Sequence, residues 1–255
     1  MTAHTPLVLS IAVVALALSG CGGGGGGSAA GAPAPTPSAE GAYFGTVSDG
    51  RQHYTLVLEN GQLYALYGST SAGVFGVSGV LQGDGTSSNG SYTSSDVKDA
   101  SAAGTLVAAT LSASYTAGSS FNGTVTEAAG SVSFTGSALS TAVYNYNVAA
   151  SLASVVGTWT MTSLRGYPTT LTVAADGSFN ATSSGCAFSG TFKPRSSGKN
   201  VLDVALTYGP SPCILAGKSL SGIAINYALS GGGQQLAIVA LDAARTSSSA
   251  FFGVR

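Results

Sequence analysis

Residues 41–61 read GAYFGTVSDGRQHYTLVLENG, and residues 157–177 read GTWTMTSLRGYPTTLTVAADG. Both stretches begin with glycine, a variable residue and an aromatic residue, continue through a Thr-Leu strand, and end in Asn-Gly or Asp-Gly. Those two dipeptides favour the type I′ turn of a two-residue β-hairpin, because both of its central residues need a positive φ. Since the opening glycine, the aromatic residue and the Asn-Gly or Asp-Gly pair recur at one spacing, 116 positions apart, the sequence predicts a duplication.

Short strand signals bounded by Gly, Asn, Asp or Ser follow one another through both halves. In residues 202–208, LDVALTY, large apolar residues alternate with small or polar ones, which is typical of a strand with one buried face. A helical pattern is confined to residues 149–156, which we interpret as a connector. We therefore predict an all-β fold with two small antiparallel meander barrels in tandem, one in residues 41–148 and the other in residues 151–255.

The N-terminus carries an apolar run over residues 6–18, which is short for a membrane span and typical of a signal-peptide core. The tetrapeptide Leu18-Ser19-Gly20-Cys21 resembles the lipobox of bacterial lipoproteins. This resemblance implies a signal peptide over residues 1–20, cleavage before Cys21, and fatty acid such as palmitate attached there. Residues 1–5 lack the Lys or Arg expected before such a core. The alternatives are an uncleaved anchor and a plain secretory signal with a coincidental cysteine.

Residues 21–40 contain a run of glycines followed by a Pro- and Ala-rich stretch without apolar periodicity. We predict a disordered tether between the lipid on Cys21 and the folded part. A glycine run directly after the lipidated cysteine is similar to the tethers of two-barrel surface lipoproteins of the factor-H-binding and transferrin-binding type. Gly22 is not the Asp that retains many lipoproteins at the inner membrane, so we expect an outer-membrane lipoprotein that faces the periplasm or the cell surface.

The second half also begins with Gly157-Thr158-Trp159, which resembles the Gly-x-Trp of the first strand in lipocalins and related small barrels. In that family the tryptophan packs near the closed end of the barrel under an arginine from the last strand. The resemblance implies that Arg255 or Arg245 takes this place.

Two cysteines remain if Cys21 is consumed by lipid, because the chain has three. Export would place Cys186 and Cys213 in an oxidising compartment. Cys186 opens a predicted strand and Cys213 lies in a Pro-rich loop after a later strand, so a meander can bring both to one end of the barrel. We predict a disulfide between them. Two buried free thiols are the alternative, and a metal site is less favoured.

Charge is scarce and balanced, with nine Lys and Arg against ten Asp and Glu. The densest basic group, Lys193, Arg195 and Lys199, reads as a solvated loop. Duplex binding needs several clustered phosphate contacts, so we expect no nucleic-acid partner.

Catalytic motifs are missing from the sequence, which has no Gly-x-Ser-x-Gly, HExxH or CxxC. We interpret His53 as an exposed strand-edge residue, Asp96 and Asp99 as a solvated loop around Lys98, and Asp84 as a turn. We therefore expect no enzyme, no cofactor and no metal.

Three functions follow from these features, in order of preference. The first is a membrane-anchored envelope or surface lipoprotein with a non-enzymatic binding or structural role, with a protein partner in the envelope, the host or a neighbouring cell. The second is a carrier of a small apolar ligand in a barrel cavity. The third, an enzyme, would require a pocket that holds His53 together with two of the acids.

Overall fold

The computed structural model describes residues 37–255, and this part of the chain contains sixteen β-strands and one short 3-10 helix, Leu152–Ser154. The first eight strands are β1 Gly41–Val47, β2 Gln52–Val57, β3 Gln62–Ser71, β4 Val74–Ser88, β5 Ser91–Ser101, β6 Leu106–Thr116, β7 Ser120–Glu127 and β8 Gly130–Ala138. The second eight are β9 Gly157–Ser163, β10 Pro168–Val173, β11 Ser178–Ser183, β12 Cys186–Pro194, β13 Leu202–Tyr208, β14 Ser219–Ala228, β15 Gln234–Leu241 and β16 Ser248–Val254.

Each set of eight strands closes into its own antiparallel barrel. Every strand pairs with the next one along the chain, and β8 returns to β1 with Tyr43 opposite Ala138. In the second barrel β16 returns to β9 with Phe252 opposite Thr162. The predicted fold class, two meander barrels in tandem, is confirmed.

Hairpins form at both Asn-Gly and Asp-Gly, but the predicted type I′ turn is wrong, because Asn60 and Asp176 do not have the positive φ that it needs. Gly61 donates a backbone hydrogen bond to Leu58 O at 2.9 Å, and Gly177 donates the equivalent bond to Ala174 O at 3.0 Å. Both glycines have φ of 85°, a conformation that residues with a Cβ rarely adopt. A Cβ would also overlap the carbonyl oxygen of Gly85 at the first turn and of Phe192 at the second. These hairpins are therefore built in the same way in both barrels.

An aromatic residue seals the corresponding end of each barrel, which we call the closed end. The Tyr43 hydroxyl donates to Ala39 O at 2.9 Å, and the Trp159 indole donates to Val155 O at 2.8 Å. The guanidinium of Arg255 lies 4.1 Å from the centroid of the Trp159 ring. Of the two arginines expected over this tryptophan, Arg255 occupies the position and Arg245 does not.

The residues just before β1 belong to this closed end. Ala39 is fully buried, and the Tyr115 hydroxyl donates to Pro37 O at 2.7 Å. Lys199 of the second barrel pairs with Glu40 at 2.6 Å. The predicted tether extends to residue 40, whereas residues 37–40 pack against the folded body. Cys21 and the rest of the predicted signal peptide and tether lie outside the described residues.

The outer walls of the two barrels share an apolar cluster. It includes Leu56, Leu66, Phe75 and Val80 from the first barrel and Ile223, Tyr227, Val239 and Leu241 from the second. Burying one such aliphatic or aromatic side chain contributes about 1.5–3 kcal/mol. Gln235 Nε2 also donates to Phe75 O across the interface at 3.0 Å. The barrels therefore form one compact unit.

Charged residues reinforce this interface. Arg195 donates at 2.7 Å both to Glu59 of the first barrel and to Asp203 of the second. Arg245 of the second barrel also contacts the first barrel, since it pairs with Asp96 and donates to Gln82 O at 2.9 Å. The interpretation of the basic group as a solvated loop is wrong for Arg195, whose side chain is 13% exposed.

The predicted disulfide is present between Cys186, at the start of β12, and Cys213, in the loop between β13 and β14. Both cysteines are buried in the core of the second barrel, and Leu215 of the same loop is partly buried against that core. The bond therefore fixes this loop over the end of the barrel opposite Trp159. Among residues 37–255, no helix is long and apolar enough to cross a membrane.

Candidate ligand cavity in the first barrel

A cavity of about 480 Å³ occupies the first barrel at the end opposite Tyr43, which we call the mouth. Strand β1 leads into the mouth, and the turns that follow β1, β3, β5 and β7 form its rim. The apolar part of the wall consists of Val47, Leu63, Ala65, Leu81, Val107, Leu111, Phe121, Val125, Val132 and Phe134. Arg51, His53, Thr55, Tyr67, Asp99 and Glu127 provide its main polar groups.

Side-chain size explains why this barrel is hollow. At the duplicated positions, Gly45, Thr55 and Leu63 of the first barrel correspond to Met161, Leu171 and Phe179 of the second. Each member of the second set is larger and belongs to the packed core of its barrel. Because barrels of eight strands hold either packed side chains or one small ligand, these smaller residues leave room for a ligand.

The two barrels also differ in the loops at the end opposite Tyr43 or Trp159. The loop between β5 and β6 is short, residues 102–105, whereas the loop between β13 and β14, residues 209–218, is longer and carries Cys213 into the core. A second cavity of about 260 Å³ lies beside that loop and is lined by Phe188, Tyr208 and Leu215. The larger cavity is therefore the one without a disulfide-fixed loop over it.

Tyr67 and Asp99 form the centre of the polar group at the mouth. The Tyr67 hydroxyl donates to Asp99 Oδ1 at 2.7 Å. Gly79 on β4 makes room for the tyrosine ring, since a Cβ there would overlap it. The guanidinium of Arg51 lies 4.2 Å from the ring centroid of Tyr67, and its Nε donates to Asp49 at 2.8 Å. Arg51 therefore already has an anionic partner outside the cavity.

Burial raises the pKa of Asp99 from 3.8 to about 7. The hydrogen bond from Tyr67 opposes this rise in the pKa, and the neighbouring Glu127 carboxyl adds to it, because two carboxylates in contact disfavour double ionisation. Burial also raises the pKa of Tyr67, with the Asp99 carboxylate adding to the rise. Asp99 therefore titrates near neutral pH, while Tyr67 stays protonated.

His53 lies inside the barrel and is 3% exposed, so the interpretation of this residue as exposed is wrong. Its Nε2 is 3.0 Å from Thr135 O and its Nδ1 is 2.9 Å from Thr55 Oγ1. Because a carbonyl oxygen only accepts, Nε2 carries the proton and Nδ1 accepts from the threonine hydroxyl. Burial lowers the pKa of His53, so the ring is neutral.

The other acids singled out in the sequence have different places. Asp84, Asp96 and Asp99 all lie in strands, so the loop and turn interpretations are wrong. Asp96 and Asp84 pair with Arg245 at the barrel interface, and only Asp99 of the three lines the cavity. Within residues 37–255, no three His, Cys, Asp or Glu residues are grouped as metal ligands.

No protein-family description matches this chain, and a search of the curated proteins gives no significant match.

The sequence reveals some of this site in retrospect. His53, Thr55 and Val57 alternate along β2, as do Leu63, Ala65 and Tyr67 along β3, so each set shares one face. Glu127 was not singled out, although it continues the inward-facing series of Phe121 and Val125.

Proposed function

We propose that this protein is a non-enzymatic, membrane-anchored envelope lipoprotein whose first barrel binds a small ligand. The cavity of about 480 Å³ in the first barrel supports this function most strongly. Sites for small molecules commonly have volumes of about 300–1,000 Å³. The cavity favours the carrier predicted from the barrel pattern over a purely structural role.

The distribution of polar groups supports the same proposal. The wall is mostly aliphatic and aromatic, and charged groups are concentrated at the mouth. Small-molecule sites have this composition, because apolar walls provide affinity and a few polar groups fix orientation. A ligand with an apolar body and one polar end fits such a cavity.

The contacts of His53 favour binding over catalysis. The wall of the cavity does include His53 together with Asp99 and Glu127, which is the arrangement that an enzyme would require. However, both ring nitrogens are engaged by Thr55 and Thr135. Neither ring nitrogen is therefore free to take a proton directly from a ligand, and the group that His53 could activate is the Thr55 hydroxyl. His53 is better suited to holding β2 against β8 than to moving a proton.

Native mass spectrometry of the detergent-extracted mature protein tests ligand binding. We expect a small molecule that remains bound to the wild type and is lost in Ala65→Phe, because Ala65 lines the cavity and the added ring fills it. The matched control is Ala108→Phe, on the exposed face of β6. Retention of the molecule by Ala65→Phe, or its loss from both variants, would contradict binding in this cavity.

The anchor is a separate part of the proposal and is supported by the lipobox-like tetrapeptide ending at Cys21. Labelled palmitate should enter the wild type and not Cys21→Ser. The wild type should partition with outer membranes, and Cys21→Ser should be unprocessed or soluble. Failure of the label to enter the wild type would refute the lipid anchor without affecting the cavity. A protein partner in the envelope, host or neighbouring cell stays a prediction, testable by pull-down with the mature protein.

A further inference from the structure

We infer that the first barrel binds a small organic cation, with its ammonium group between Asp99 and Glu127 and its apolar body inside the barrel. This inference rests on the proposed function, since it names the class of ligand for the same cavity. The evidence for it is the pair Asp99 and Glu127 together with the apolar wall of the cavity.

The charges that face the cavity are acidic on balance. Arg51 lines the mouth and faces Asp99, but it is paired with Asp49, with Nη2 and Oδ2 2.5 Å apart, and burial keeps His53 neutral. Asp99 and Glu127 are neighbours, and Lys98 lies beside Asp96 at 3.8 Å rather than in the cavity lining. An anionic ligand would therefore meet like charge, whereas an ammonium group would meet opposite charge.

Asp99 retains hydrogen-bonding capacity toward a ligand. Its Oδ1 accepts from Tyr67, and a carboxylate offers about four lone-pair positions over its two oxygens. An ammonium group carries three donors and no acceptor, so it can bridge two carboxyl groups. Tyr67 holds Asp99 in position for this contact from the neighbouring wall.

The interior beyond this pair is apolar and partly aromatic. Leu63, Leu111 and the rings of Phe121 and Phe134 line it, and the two rings lie 5.6 Å apart. This surface provides no charged partner for a second polar end of the ligand. The cavity therefore fits a molecule with one cationic end and an aromatic or aliphatic body.

Three probes with one body and different ends test this inference: phenylpropylamine, phenylpropanol and phenylpropanoate. Isothermal titration calorimetry on the mature protein in detergent should give the tightest binding for the amine, roughly tenfold or more tighter than the alcohol, because charged hydrogen bonds are stronger than neutral ones. The carboxylate should bind most weakly. The double variant Asp99→Asn with Glu127→Gln should bind amine and alcohol about equally.

Asp176→Asn is the matched control, since it removes one acid from an exposed turn of the second barrel. It should keep the preference for the amine. The alcohol reports whether the double variant retains a folded cavity, because its binding does not need the carboxylates. Three results would overturn the cationic class while leaving the cavity as a ligand site. They are equal binding of amine and alcohol by the wild type, tightest binding of the carboxylate, and an unchanged preference for the amine in the double variant. No binding of any probe would overturn both proposals.

Discussion

The Tyr67 hydroxyl donates a 2.7 Å hydrogen bond to Asp99 Oδ1 at the mouth of the first barrel. Glu127 lines the same cavity and adds to the rise in the pKa of Asp99. A carboxyl group in this position is held in place and partly desolvated, so its protonated form is favoured more than in an exposed carboxyl. It can therefore respond to a cationic ligand by releasing its proton.

The raised pKa of Asp99 predicts a specific dependence of stability on pH. Between pH 3.8 and about 7 the folded protein binds more protons at this site than the unfolded chain, whose carboxyl has an ordinary pKa. The contribution of Asp99 to the free energy of unfolding is therefore greatest below this window and falls as pH rises to about 7. The groups facing Asp99 are Arg51, Tyr67 and Glu127.

Urea unfolding of the wild type and Asp99→Asn across this window measures the effect. The asparagine still accepts a hydrogen bond from Tyr67 but does not ionise. The free energy of unfolding of Asp99→Asn should therefore fall less than that of the wild type as pH rises. Parallel stability curves for the two proteins would show that Asp99 ionises at an ordinary pKa.

Arg255 should stabilise the closed end of the second barrel. Its guanidinium stacks on Trp159 and donates to Val156 O at 2.7 Å and to Ser154 O at 3.1 Å. Arg255→Ala should lower the free energy of unfolding by about 1 kcal/mol, and Arg255→Lys should recover part of it. The fluorescence of Trp159, the single tryptophan, reports the transition directly. Equal stability of all three proteins would mean that these contacts contribute nothing net.

The disulfide should contribute more to the free energy of unfolding than Arg255 does, because it closes a long segment of the chain. Cys186 and Cys213 are 27 positions apart, for which loop-closure entropy predicts about 3.5 kcal/mol. The double variant Cys186→Ser with Cys213→Ser should be less stable by up to about that amount, measured by urea unfolding. In the denatured wild type, alkylation without a reducing agent should leave both cysteines unmodified, and modification of both would show that no bond forms.

The fold could be predicted because its signals are local. Asn60-Gly61 and Asp176-Gly177 mark hairpins, and the common spacing of these pairs predicted two barrels of the same design. The disulfide followed from the count of cysteines and the direction of the strands in a meander. These inferences need no knowledge of which residues meet across the barrel.

The site could not be predicted in the same way. Strand β2 is buried on both faces, because Leu56 packs against the second barrel while His53 faces the interior, so its pattern gave no direction for the histidine. In β5 an irregularity between Ser94 and Val97 shifts the register. Such a bulge reverses the face of the residues that follow it, and this turns Asp99 inward. The segment of β5 around Asp99 is also rich in polar residues of low strand propensity, and for this reason the sequence predicted a loop there.

A crystal structure of the mature protein grown with phenylpropylamine tests the central claim most directly. We predict electron density for one molecule in the first barrel, with the nitrogen within hydrogen-bond distance of Asp99 and Glu127 and the phenyl ring against Phe121 and Phe134. An empty or water-filled first barrel at saturating amine, or amine bound only elsewhere on the protein, would contradict it.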